Sequence, residues 1–389
     1  VRRLVVLVGA IVLVDTMFYA AITPLLPKLA AELGLGKNGA GVLTGAYAAG
    51  TLLGSLPAGW LIARTGVKRT VVLGLTLMSV SGLAFAFGKT IGVLDAARFL
   101  QGIGGACSWA GGMAWIAAEA PRERRGALLG SAMGAAIFGV QLGPVVGAVA
   151  RGAGQEATFS STVVFGLALG VWAWTMPVRR AEQETLATPA EALRSRPMLA
   201  GMWLTALPAA AFGVLDVLAP LRLDALGASA LALGLTFFAA AGVEAAVTPF
   251  IGRYTDRGGA RNVVRAGLAA TVAALVVVQL PETATALAIA VIGVSGLLGV
   301  MWVPAMGLLA GGAEGIGLDQ GFAFAYFNLA WAAGFSLGSF AGGSLAEVTT
   351  DGVSYSGVAA LYAVSAAYVL FFRGRGGGRV ADTTGLARG

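Results

Sequence analysis

The chain has 389 residues, 57% of them hydrophobic and 12% charged, with a mean hydropathy of +0.82 and a net charge of +7. Soluble domains carry about 25% charged residues, so a water-soluble fold is excluded for most of this sequence and lipid is the solvent its apolar surface requires. Histidine is absent and Cys107 is the single cysteine, which excludes an internal disulfide, a cysteine metal cluster and most nucleophile–base sets.

A helix needs about 20 apolar residues to cross a bilayer. Twelve such runs follow one another, at 4–27, 38–62, 70–88, 90–118, 126–150, 158–177, 198–222, 228–251, 262–280, 284–312, 320–346 and 353–372. The polar stretch 178–197, with Arg179, Arg180, Glu182, Glu184, Glu191, Arg194 and Arg196, divides them six and six. This predicts two bundles, 1–177 and 198–372, a cytoplasmic linker between them and a disordered Gly- and Arg-rich tail at 373–389. The first run lacks a small-x-small end and holds Asp15, so it reads as a span and not as a cleavable signal. With the N-terminus inside, Arg2, Arg3, Arg64, Lys68, Arg69, Arg122, Arg124, Arg125, Arg253, Arg257, Arg261 and Arg265 fall on the inner side, while Lys28, Lys37, Lys89, Arg151 and Arg222 fall outside. The bias places both termini in the cytoplasm and accounts for the positive charge without a nucleic-acid partner.

In the first span, Asp15 lies about 11 residues deep, about 16 Å at 1.5 Å per residue, near the middle of a core about 30 Å thick. Tyr19 and Ile22 share its face. An ionised aspartate there needs a cation, a proton or a water-filled cavity; the alternative is a structural bond to a neighbouring helix. A basic, Gly-bounded segment follows the second span, running from Gly59 through Arg64 and Gly66 to Lys68 and Arg69. It returns half a chain later as Gly252, Asp256, Arg257, Gly259 and Arg261. The fourth span reads Leu94-Asp95-Ala-Ala-Arg98-Phe-Leu-Gln101-Gly102. Arg98 either faces a wet interior or snorkels outward and pairs with Asp95. In the fifth span Gly139, Gly143 and Gly147 make one smooth packing face and Pro144 adds a bend; Gly334, Gly338 and Gly342 answer them in the second half. Glu244 lies deep in the eighth span and Asp216 nearer the outer end of the seventh. Trp109, Met113, Gln141, Trp302, Met306, Tyr326, Asn328 and Trp331 supply aromatic, sulfur and polar groups, a set suited to organic cations of varied shape.

The duplicated basic segment resembles the loop between helices 2 and 3 of the major facilitator superfamily and its copy between helices 8 and 9. The Arg98–Gln101–Gly102 run resembles the helix 4 signature of that family, and the Gly139–Gly147 run its antiporter motif. The first span is similar to helix 1 of the twelve-helix drug:proton antiporters and the vesicular amine transporters. Ala63 stands where the family has aspartate, Val67 where it has a basic residue, and Ala148 where it has a last glycine. The resemblance implies an all-α membrane protein, its twelve helices in two pseudo-symmetric bundles around a cavity lined by helices 1, 4, 7 and 10. It implies a monomer of the plasma membrane that rocks to export hydrophobic or cationic small molecules against protons, with no cofactor beyond the proton gradient, and no enzyme. Asp15, Glu244, Arg98 and Asp216 would couple to protons. Asp15, Tyr19 and the aromatic set would bind substrate. Gly59, Arg64, Gly66, Arg69, Gly139, Gly143, Pro144, Gly147, Gly252, Asp256, Arg257 and Gly259 would govern the conformational change. Symport of a sugar or other metabolite, and a non-transporting sensor or partner subunit, are the competing expectations.

Overall fold

The computed structural model describes residues 1–121, 124–178, 193–318 and 320–371, with the side chains of 125, 126, 256, 258, 320–322 and 371 left aside. The described residues form helices and no strand. The first half comprises α1 (Arg2–Ala20), α2 (Ile22–Leu33), α3 (Lys37–Thr65), α4 (Val67–Phe87), α5 (Ile91–Glu119), α6 (Arg125–Ala153) and α7 (Gln155–Thr175). The second comprises α8 (Arg196–Ala225), α9 (Ala230–Tyr254), α10 (Ala260–Val277), α11 (Ala284–Gly299), α12 (Trp302–Gly315), α13 (Gln320–Val348) and α14 (Asp351–Phe371). Taken as single crossings, α1–α2 and α11–α12 bring the total to twelve. Ten of these crossings are long and apolar enough to traverse a bilayer on composition alone; α5 and α13, at 29 residues each, have the length. Exposed apolar side chains such as Leu56, Val164 and Val364 belong to the lipid-facing surface.

The two split helices have a local cause. Pro24 has no N–H for the carbonyl of Ala20, where α1 ends, and Pro304 has none for Val300, where α11 gives way to α12. Pro57 and Pro144 lie inside helices that stay continuous.

The halves repeat one packing scheme. In the first, α1 lies on α6, α3 on α5 and α4 on α7; in the second, α8 lies on α13, α9 on α11 and α10 on α14. The glycine ridges explain the first of these pairs. A side-chain carbon on Gly139 or Gly143 would collide with the backbone carbonyl of Leu13 or Met17, and one on Gly147 with Ala21 at the helix break. On Gly334, Gly338 and Gly342 it would meet Ala206, Ala210 and Val214 of α8. Equivalent glycines thus let equivalent helices approach in both halves.

Across the halves, α3 packs on α13 and α6 on α9. One end of the bundle carries Arg2, Arg3, Arg64, Lys68 and Arg69 and is termed the basic end; the other is the far end. At the far end Lys37 Nζ meets Asp351 at 2.6 Å, its backbone N–H donates to Glu347 at 2.5 Å, Ser344 donates to Asn38, and Arg151 pairs with Asp224 at 2.6 Å. These hydrogen bonds and ion pairs cross between the halves.

Two sequence expectations change. The stretch predicted as linker to 197 is already helical from Arg196; residues 179–192 and the tail from 372 lie outside the described residues. The first Gly-bounded segment reverses at Gly66, whose φ of 87° suits only glycine. The second is not a loop of the same kind: α9 runs on to Tyr254 and passes through one π turn, Thr255–Gly259, directly into α10. Gly252 and Arg257 lie along this helical path and Gly259 has an ordinary negative φ; the side chain of Asp256 lies outside the described residues.

Gly143→Leu should lower the unfolding temperature of the detergent-purified protein, by overpacking worth about 1–3 kcal/mol. Gly134→Ala, on the same helix with open space around it, should leave that temperature unchanged. Equal melting of both variants would remove the ridge from the account.

Candidate functional site

Asp15 is 1% exposed on α1. Its Oδ2 accepts the Tyr47 hydroxyl of α3 at 2.7 Å and the Trp109 indole N–H of α5 at 3.1 Å. Its Oδ1 is buried without a partner among the described residues. Gly105 on α5 forms the floor beneath it, since a side-chain carbon there would sit 3.1 Å from one carboxylate oxygen and 2.7 Å from the Tyr47 hydroxyl.

Arg98 is also 1% exposed and does not snorkel to Asp95. Its guanidinium donates to Gln101 Oε1 at 2.8 Å and to the Tyr19 carbonyl at 3.1 Å. That carbonyl sits in the last turn of α1, where the chain breaks ahead of Pro24. Carbonyls in the last turn of a helix carry partial negative charge, which suits the buried cation. The guanidinium carbon lies 5.2 Å from the Tyr47 ring and 5.8 Å from the Tyr19 ring, both within cation–π range. Tyr47 thus touches both charges, hydroxyl to Asp15 and ring to Arg98.

The second half holds a related arrangement. Glu244 Oε1 on α9 accepts the Trp302 indole N–H at 2.6 Å. Trp302 opens α12 just after the helix break and stacks on Phe212 of α8, with ring centroids 6.1 Å apart and planes at 9°. Its edge contact with Phe327 is at 5.7 Å. Asp216 on α8 is partly exposed and lies one turn beyond Phe212 on the same helix. Each half therefore has an acid that accepts an indole N–H.

Tyr19 joins the two. Its ring lies 4.7 Å from Tyr47 in its own half, and 5.5 Å and 5.7 Å from Trp331 and Phe335 of α13. Asp15, Arg98, Tyr19 and Trp109 thus come together, and Glu244, Asp216, Trp302 and Trp331 line the same region from the other side. Tyr326 does not join them: it packs with Met198, Leu309 and Ala313 in a separate apolar cluster. Met113 is buried in the general core, Gln141 lies beside Gly242 in the α6–α9 seam, and Met306 and Asn328 are partly buried outside the ring contacts. Tyr47, Phe212 and Phe335 were not singled out from the sequence. The usable signal for Tyr47 was chemical: a mid-membrane carboxylate needs donors, and Tyr47 is a hydroxyl at mid-span.

Two six-helix bundles meeting at buried charges and a ring cluster define a multi-pass membrane protein of the two-bundle transporter type. The chain belongs to the Major Facilitator Superfamily, whose family model matches residues 8–318. A stretch of 214 residues is 33% identical to the probable vesicular acetylcholine transporter-B of Danio rerio, covering 51% of this chain and 43% of that protein. Another of 90 residues is 39% identical to the synaptic vesicular amine transporter of Homo sapiens, covering 23% and 18%. The chain thus matches less than half the length of these relatives. The fold is shared with the crystal structure of a D-xylose-proton symporter, at 20% identity and TM-score 0.70 over 95% of this chain and 96% of that one. It is shared too with the partially occluded inward open conformation of the xylose transporter XylE from E. coli, at 17% identity and TM-score 0.74 over 97% and 99%. Superfamily members are transporters and not enzymes.

Tyr47→Phe removes one donor from a buried carboxylate and should cost about 1–3 kcal/mol of stability. The loss should shrink in an Asp15→Asn background, as a double-mutant cycle on thermal unfolding would read. An identical loss in both backgrounds would show that the two side chains are not coupled.

Proposed function

We propose that this chain is a secondary active transporter that exports hydrophobic or cationic small molecules in exchange for protons. The observation that carries the reading is Asp15, a mid-membrane carboxylate with one oxygen unpartnered, beside Arg98 and at the ring cluster where the halves meet. Asp15 is sealed by Tyr47 and Trp109, which suits a proton better than a bulky ligand. The partly exposed carboxylates of Asp216 and Glu244, with Trp302 and Phe212 beside them, suit an organic cation: ring faces and negative charge attract it together. Acetylcholine and amines, the compounds named for the vesicular relatives, are of that chemistry.

Exchange follows from competition between positive charges. A cation arriving at the Asp216–Glu244 side and a proton arriving at Asp15 each add positive charge to the region where the halves meet, so loading one disfavours loading the other. Arg98, fixed to the end of α1 and resting on Tyr47, makes the proton occupancy of Asp15 depend on how α1 and α3 are arranged. The basic end faces the cytoplasm in this reading, and the plasma membrane is the proposed location, with the protein acting as a monomer. The contacts of Lys37 and Arg151 then hold the outer side shut, and rocking of the halves breaks them.

Proteoliposomes with an imposed pH gradient should drive uptake of a cationic dye by the wild type and not by Asp15→Asn; undiminished uptake by the variant would remove Asp15 from coupling. Tetraphenylphosphonium should raise the melting temperature of the purified protein, and Glu244→Gln should reduce that shift. Stabilisation by sugars in place of cations would favour metabolite symport instead.

A further inference from the structure

Two cavities adjoin on the outside of the first half, away from the ring cluster. One, of about 590 Å³, opens at the basic end and is bordered by Arg2 and Arg3 of α1 and by Trp172, Thr175 and Met176 at the end of α7. The other, of about 440 Å³, is a groove between α4 and α7, bordered by Val72, Thr76, Ser79, Gly170, Val171 and Thr175. Thr175 belongs to both. The groove follows α4 from Val72 to Val80, about 12 Å at 1.5 Å per residue, which is most of the depth of one leaflet in a core about 30 Å thick. Leu167 and Val171 beside it are strongly exposed, so the groove faces the bilayer. Gly170 leaves it open, with no atom within 4 Å of where a side-chain carbon would stand.

The charge that α1, α4 and α7 bring to its mouth has one sign. Arg2 and Arg3 are exposed and make no ion pair or hydrogen bond among the described residues. Lys68 on α4 donates to the Trp174 carbonyl at 2.9 Å, with its ammonium 5.9 Å from the Trp174 ring, which leaves further N–H donors free. No carboxylate of α1, α4 or α7 stands at this end: Asp15 is at mid-membrane, α4 has none, and Glu156 is in the far-end turn of α7. A basic opening that meets an apolar groove at Thr175 suits an amphiphile with an anionic head, and basic pockets between membrane helices are where such heads are held.

We infer that this cleft binds one anionic phospholipid, its phosphate against Arg2, Arg3 and Lys68 and an acyl chain along the α4–α7 groove. The site lies on one face of the first half and takes no part in the inter-half contacts, so it stands apart from the transport reading. The lipid would tie α1, α4 and α7 together at the basic end.

Native mass spectrometry of the detergent-purified full chain, titrated with phosphatidylglycerol and separately with phosphatidylcholine, tests it. One phosphatidylglycerol should be retained in preference to phosphatidylcholine. Each of Arg2→Gln, Arg3→Gln and Lys68→Gln should weaken retention about fivefold, and Gly170→Phe, which fills the groove, should abolish the preference. Arg253→Gln with Arg261→Gln, at the basic end of the other half, should leave it intact. Equal retention of both lipids, or an equal loss in the Arg253/Arg261 control, would overturn the site. Competition by glycerol phosphate as effective as that by the whole lipid would reduce it to an anion site and overturn the lipid assignment.

Discussion

A carboxylate held near the middle of a bilayer is the constraint on which the first half of this molecule is built. Such a group costs several kcal/mol unless it is neutral, paired or hydrated. Asp15 answers with two donors, Tyr47 from α3 and Trp109 from α5, and these two bonds fix how three helices meet. Gly105 is a glycine because the carboxylate and the phenol occupy the space a side chain would need. Arg98, equally buried, donates to Gln101 and to the Tyr19 carbonyl in the last turn of α1. One oxygen of Asp15 has no partner among the described residues.

Duplication supplies the frame. Gly139, Gly143 and Gly147 seat α6 on α1–α2, and Gly334, Gly338 and Gly342 seat α13 on α8. In lipid, helix association rests on such close packing and not on hydrophobic burial. The symmetry then breaks where the site needs it to. The acid of the first half is on its first helix, while Glu244 is on the second crossing of the other half; yet both accept an indole N–H, and both lie near a helix interruption set by a proline. The last turn of α1 gives Arg98 its acceptor, and the α11–α12 break places Trp302 against Glu244 and Phe212.

The architecture was legible in the sequence because a bilayer allows few solutions: apolar runs of spanning length, a basic bias and repeated glycines leave little besides two helical bundles. Asp15, Arg98, Trp109 and Trp302 were legible for a related reason, as polar or aromatic groups set in apolar spans. Side-chain direction was not. Tyr326 and Trp331 lie five positions apart on one helix, and only the second reaches Tyr19. The alternative of an Arg98–Asp95 pair respected helical spacing and failed because the α1 carbonyls, invisible in a list of residues, offered a better partner. The far-end contacts of Lys37 with Asp351 and Glu347 join segments remote in sequence that no local pattern links. The second Gly-bounded segment shared composition with the first and not its geometry, because a π turn replaced the glycine reversal.

The central claim is that cation binding on one side of the ring cluster and proton occupancy of Asp15 exclude each other. It is tested most directly by following pH in weakly buffered detergent solution while tetraphenylphosphonium is added to the purified protein. The account predicts that binding releases protons from the wild type, and that Asp15→Asn still binds the cation but releases fewer. Tight cation binding with no proton release from the wild type, at a pH where transport runs, would contradict it.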